Sequence, residues 1–366
     1  MQDARQTMTQ TATLLPLPAL SANDKASWTS FRAEDPSLAS PYFALSYLQT
    51  LEKVHPGIEV LKVCEGERTV GFLPFRRDLI GTCRPPDGPL ADLHGVIASP
   101  DSAINLSTAL ETAGLGGYAF SAVPYQQARH GLSGMTGEGN QIIDLSAGYD
   151  GWLAERYEAN SAFRRTHRKI LKLFDDHEIE ITHDRFDPRV FNRLIELKQD
   201  GYASAGHFDV FSLGWPQALL DALCHEETGE VRGVMSIMKI NGEVAAACLC
   251  MRSASVLHYW YPGYEKAFAD LKPGHAMLFS LAEWAAGEGI SEFHLGLGNV
   301  QYKRQMASYA APVRQGVLAV ATPQKILTRF NAWSQAREAR GGRLSALPAK
   351  LARKVDRVAL MGRLSA

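Results

Sequence analysis

Asn241-Gly242 lies between two apolar runs, 233–240 and 243–252, and no other short stretch limits the fold as much. A pair of residues that accept positive φ, flanked by β-forming runs, closes a two-residue hairpin. A second reversal at Ser253-Ala254-Ser255 leads into the aromatic strand 256–261. After it the pattern predicts a helix from Gly274, a strand over 291–295 and a final strand over 312–322. Antiparallel strands followed by a strand-helix-strand unit make an α+β plan with a mixed, mostly antiparallel sheet flanked by helices.

The first half runs through similar elements. Apolar spacing predicts a helix over 41–54, strands over 58–63 and 70–76, a helix to 112 capped by Asp101, and strands over 118–123 and 141–145. Four glycines between 129 and 140 mark a mobile loop. Further on come one helix over 152–174, a strand over 178–182, and helices over 188–202 and 215–224. Residues 1–10 lack periodicity and read as disordered, 11–148 as a first domain, 149–323 as a second, and 324–366 as a basic helical tail.

A chain of 366 residues can bury two cores without disulfides or metal. A formal net charge of −1 argues against a general nucleic-acid binder, and no DNA partner is expected. Charge is uneven, however. From Gln324 onward ten Lys and Arg face Glu338 and Asp356, a balance of +8 that leaves −9 for the preceding residues. Ile326, Leu327, Phe330 and Trp333 form one apolar stripe in this tail, and Leu344, Leu347, Leu351, Val355 and Val358 another. Such helices either pack on the acidic body or lie on an anionic membrane surface. The helix over 152–174 gathers Arg156, Arg164, Arg165, Arg168, Lys169 and Lys172, either as a solvated face or as a rim facing phosphates or an acidic membrane surface.

Five cysteines without CxxC spacing suggest reduced thiols and a cytoplasmic protein, and Cys248 and Cys250, two apart on a strand, are poorly placed to bridge. The apolar stretch 11–20 is interrupted by Pro16 and Pro18, which argues against a signal peptide. There is no Gly-x-Ser-x-Gly elbow, Walker loop, HExxH or zinc spacing.

The run 256–306 holds Trp260, Tyr264, Pro273-Gly274, Gly289, Leu295-Gly296-Leu297-Gly298 and Tyr302-Lys303 in that order. This succession resembles the FemAB-like branch of the GNAT acyltransferase superfamily, and within it the CelD-like or BioF2-like acetyltransferases of cellulose and exopolysaccharide biosynthesis. The strong match spans about 152–320; the first half agrees in element order only. The resemblance implies two tandem GNAT-like domains, the first largely without a donor site. It also implies acetyl-CoA or another acyl-CoA as donor, no metal, and direct transfer to a saccharide or lipid-linked saccharide without a covalent enzyme intermediate. Two other readings stay open: a FemAB-like aminoacyltransferase using aminoacyl-tRNA, and a non-catalytic scaffold of a polysaccharide assembly. The sequence departs from many relatives at His294, where they carry Asp.

Residue chemistry fits the implied roles. Lys272, Gly274, His275 and Ala276 open a helix whose N–H groups and dipole suit a pyrophosphate, with Pro273 costing no donor. Tyr302 and Lys303 follow the second strand, where Lys303 can face a developing oxyanion. His294 is either a base or a packed strand histidine. Strict alternation puts His258 and Trp260 on one strand face and Tyr259 and Tyr261 on the other. His258, Trp260 and Tyr264 are candidates for stacking on a sugar, and Asp92 and His94 for lining the acceptor side.

Overall fold

Asn241 and Gly242 take φ of 52° and 84°, the double left-handed turn that the hairpin requires. A computed structural model describes residues 9–227 and 229–339, with 331–339 by backbone alone. Two units interleave along the chain. One comprises the chain through Leu38, His55–Gly137 and Val313 onward; the other comprises Ala39–Val54 and Glu138–Pro312. Sequence patterning points instead to contiguous halves, because it cannot show which sheet a returning strand joins.

In the first unit the sheet order is Gln10–Pro16, Glu59–Glu65, Arg68–Arg77, Cys83–Arg84, Gly117–Pro124, Val313–Ala319, Met135–Thr136, and Ile97–Ala98 pairs with Arg68–Arg77. Pairing is antiparallel except for a parallel step at Cys83↔Tyr118. Leu61, Val70, Phe75, Leu110 and Tyr118 belong to its core. The strand from Gln10 and a helix at Ala22–Glu34 go beyond the sequence expectation. The helix did have a signal, a capping box in which the Ser21 side chain accepts from the Asp24 N–H and Asp24 accepts from Ser21. Leu106–Thr112 is capped by Asn105 rather than Asp101. The glycine-rich stretch expected as a loop contributes the short strand Met135–Thr136.

The second unit holds β1 (Asn140–Asp144), β2 (Ile179–Thr182), β3 (Arg232–Ile240), β4 (Glu243–Arg252), β5 (Val256–Tyr264), β6 (Glu292–Leu297) and β7 (Tyr309–Ala311). Their spatial order is β7-β1-β6-β5-β4-β3-β2, all antiparallel except β5 with β6. Helices α1 (Leu45–Val54), α2 (Gly148–Ala159), α3 (Ser161–Asp176), α4 (Pro188–Ala205), α5 (Trp215–Cys224), α6 (Pro273–Gly287) and α7 (Gln301–Met306) complete it. The helix expected over 152–174 is broken at Asn160, whose extended backbone lets its side chain accept from the Ala162 and Phe163 N–H groups. Trp152, Phe163 and Phe279 form the aromatic centre of the core between α2, α3 and α6, and Trp152 Nε1 donates to the Met306 carbonyl at 3.0 Å.

The tail is helical from Thr322 to Ala339, and Ile326 and Phe330 are exposed. Trp333 as a side chain and the stripe from Leu344 to Val358 lie outside the described residues, as do residues 1–8. Among the described residues no helix is long and apolar enough to cross a membrane.

Parallel pairing of β5 and β6 covers Val256↔Glu292, Leu257↔Phe293 and His258↔His294 and goes no further. On β5 the register against β4 shifts beside Trp260, with Leu249 opposite Tyr261 and Cys250 opposite Tyr259, so Trp260 is an extra, bulged residue. On β6 the register against β1 shifts between His294 and Leu297, and Gly296 takes φ of 82°. Only glycine occupies that region without a side-chain penalty. A Gly296→Ala variant is expected to lose about 1–2 kcal/mol, read as a lower urea midpoint.

Candidate active site

Beside the length of β5 that no longer pairs with β6, a cleft of about 320 Å³ opens, wholly within the second unit. β5 contributes Tyr259, Pro262, Gly263 and Tyr264, β4 contributes Ala246 and Ala247, α6 contributes Gly274, His275 and Met277, and α7 contributes Tyr302. Four residues expected from sequence or resemblance thus share one space: Tyr264, Gly274, His275 and Tyr302. Tyr259, Met277 and the Ala246-Ala247 pair were not singled out as site residues. The small residues in the second β4 run hinted at close approach, but alternation alone does not show which strand borders a gap.

The start of α6 is tighter than an open anion cradle. Lys272 holds a left-handed conformation at φ 55°, unusual for a residue with a side chain. Its carbonyl accepts from the His275 N–H at 3.0 Å and the Ala276 N–H at 3.4 Å. The Gly274 N–H is left as the first-turn donor with no protein acceptor among the described residues. A methyl group at Gly274 would meet Tyr264 at 3.9 Å, an ordinary contact distance, so the helix mouth has room around this residue.

Charge is kept low around the cleft. Burial, helped by the Lys272 cation, lowers the His275 pKa below the ordinary histidine value. His275 meets the Tyr302 ring edge-on at 6.1 Å. Burial pushes the Tyr302 phenol up to about 12, and raises Tyr259 well above the usual tyrosine range. At neutral pH the cleft therefore offers a neutral imidazole and a protonated phenol in apolar surroundings, suited to an uncharged thioester arm.

The other candidates lie elsewhere in the fold. Lys303 Nζ donates to the Leu297 carbonyl at 2.7 Å, holding the end of β6. His294 is buried: Nδ1 lies 3.0 Å from Asn140 Nδ2, and Nε2 lies 2.8 Å from Glu292, which also accepts from the Tyr309 hydroxyl at 2.9 Å. Its hydrogen bond from His294 keeps the Glu292 carboxyl below the usual range against the opposing effect of burial. Glu292, Asn140 and Tyr309 were not anticipated; the Glu-x-His spacing on a strand was the available signal.

His258 and Trp260 share a cluster with Tyr42, whose hydroxyl is 3.3 Å from His258 Nε2, and with Tyr47. The alternation expected for the next tyrosines fails at the bulge. Tyr259 packs on Phe293, while Tyr261 packs beside Trp260, on Phe211 and under Lys198. An inserted residue shifts every later side chain by one face. Asp92 and His94 belong to the first unit. There His94 is buried, its Nε2 accepts from the Ser121 N–H at 3.1 Å, and burial lowers its pKa to about 3.

One unpredicted histidine secures α6. His183 Nδ1 and Nε2 each lie 2.9 Å from a serine hydroxyl, Ser236 on β3 and Ser280 on α6, and its ring stacks on Trp284. Burial lowers its pKa to about 4.

Residues 161–304 match the family described as Acetyltransferase (GNAT) domain. Among solved structures, FemX superposes with a TM-score of 0.59 at 12% identity, over 87% of this chain and 99% of its own. The C-terminal domain (DUF2156) of a putative lysylphosphatidylglycerol synthetase from Agrobacterium fabrum superposes with a TM-score of 0.53 at 11% identity, over 85% and 95%. At such identities these structures speak for the fold. Curated proteins give no match. The chain has an α+β architecture of two sheet-and-helix units, consistent with tandem GNAT-like domains, and its second unit carries the acyltransferase domain of the GNAT type.

Because the unfolded chain protonates His183 near pH 6.5 while the folded one resists to about pH 4, its neutral form stabilises the fold at higher pH and that contribution is lost as pH falls through this window. Thermal melts of a His183→Gln variant are expected to fall less steeply between pH 6.5 and 4 than those of the parent.

Proposed function

We propose that the second unit transfers an acyl group, acetyl in the simplest case, from coenzyme A to an amine or hydroxyl of a saccharide or lipid-linked saccharide acceptor. The observation that carries this reading is the cleft beside the unpaired end of β5, with the Gly274 N–H at its helix mouth and the Tyr302 phenol in its wall. In this scheme the acceptor lone pair attacks the thioester carbonyl, a C–N or C–O bond forms, and the C–S bond breaks. The departing thiolate takes the Tyr302 proton; the proton released by the acceptor passes to water, and the phenolate is reprotonated from water. A phenol raised to about 12 enters each turnover protonated.

Remaining assignments follow from position. The Gly274 N–H and the α6 dipole receive pyrophosphate, with Lys272 adding charge. Trp260, half-buried in its aromatic cluster, offers a face for a sugar ring. Lys303 acts as a positioning residue through the Leu297 carbonyl, and His294 acts with Glu292 in setting the end of β6. The exopolysaccharide setting and the CelD-like or BioF2-like assignment rest on the order of motifs from Trp260 to Lys303.

Isothermal calorimetry should show acetyl-CoA binding in the micromolar to millimolar range; absence of heat at millimolar donor would favour an aminoacyl donor or a scaffold role. Tyr302→Phe is expected to lower turnover by roughly 10²-fold while leaving the donor Kd unchanged, measured by thiol release with a competent acceptor.

A further inference from the structure

We propose that the outer face of α3 docks this protein on an anionic lipid bilayer. The helix buries Phe163, His167, Ile170 and Leu173 against its own unit, so its inward stripe is already used. What remains outside is unusual for a solvated face. Leu171 and Phe174 are 50% and 44% exposed, a helical turn apart. Beside them Arg165, Arg168 and Lys169 are exposed and make no ion pair among the described residues, and Lys172 reaches Asp176 only at 4.0 Å. Arg164 is turned inward onto the Tyr157 carbonyl, and Asp175 and Asp176 confine the basic patch to the earlier turns.

Unpaired cations next to protruding apolar side chains match a bilayer of anionic headgroups, where the charges meet phosphate and the apolar groups enter the acyl boundary. A nucleic acid would use the cations and could stack on Phe174, but it gives an aliphatic Leu171 no apolar surroundings, whereas the acyl boundary of a bilayer takes up both side chains. The helix packs on α6 and α7, which both border the cleft, so docking through it would hold that unit at the membrane. None of this depends on the acyl-transfer reading.

The experiment is co-sedimentation of the full chain with vesicles of phosphatidylglycerol and phosphatidylcholine in a 3:7 ratio, and with pure phosphatidylcholine. The parent is expected to partition onto the anionic vesicles and to leave them at high salt. Each surface cation contributes roughly fivefold to partitioning, so combined Arg165→Gln, Arg168→Gln, Lys169→Gln and Lys172→Gln should weaken it at least tenfold. Leu171→Ser with Phe174→Ser should weaken it at least fivefold. All six positions are exposed, and matching thermal melts establish that the variants fold; single Arg168→Gln and Phe174→Ser variants serve if a combination does not. Unchanged partitioning of either variant set overturns the proposal and leaves binding to another surface such as the basic tail. A parent that stays in the supernatant overturns it too. So does loss of bulk transfer RNA binding in the charge variant, with vesicle binding intact.

Discussion

The parting of two parallel strands is the constraint on which the rest of the second unit depends. β5 and β6 are joined for three residue pairs and then separate, because each carries a backbone irregularity just beyond the His258↔His294 pair. On β5 it is the extra residue Trp260; on β6 it is the left-handed Gly296. A sheet that stayed paired to Tyr264 and Leu297 would bury its backbone groups in a continuous ladder and leave no room between the strands. Separation frees that edge from its ladder while each strand keeps its outer partner, β4 on one side and β1 on the other.

Packing around the gap then decides its chemistry. Trp152, Phe163 and Phe279 fix α6 from one side, and His183, bonded to Ser236 and Ser280, fixes it from β3. With the helix immobilised, its Gly274 N–H has one direction to offer. The same burial that rigidifies the site drives the groups in it towards their uncharged forms, since charge in a poorly solvated cleft is costly. His275 and Tyr302 are shifted in opposite directions for this one reason. On the far edge, Asn140, His294, Glu292 and Tyr309 link β1, β6 and β7 through hydrogen bonds, which holds β6 in place as it leaves its neighbour.

Much of this was legible locally. The Asn241-Gly242 hairpin, α5 with its terminal residues Trp215 and Cys224, and the Pro273 helix start are set by short-range rules, and each stands where the residues indicate. The misses also have local explanations. A polar Asn160 inside an amphipathic run can cap as readily as it can continue a helix, and the spacing on either side is the same in both cases. Tyr302 and Lys303, expected past the end of a strand, sit on the short helix α7, whose six residues are too few for periodicity to reveal.

From sequence alone follow the α+β class, the hairpin with the strand-helix-strand run after it, and the short motifs that mark the start of α6 and the Tyr-Lys pair, because turns, caps and side-chain periodicity act over a few residues. Tertiary structure alone decided that the run from Val313 to Ala319 joins the first sheet and Leu45–Val54 the second unit, since strand pairing between distant segments depends on partners no local pattern names. It also decided that Tyr259 lines the cleft while Tyr261 turns to Phe211, and that Lys303 meets a carbonyl and not the cleft. A single bulged residue reverses which face later side chains occupy, and a bulge is a property of two strands in register, not of one strand read by itself.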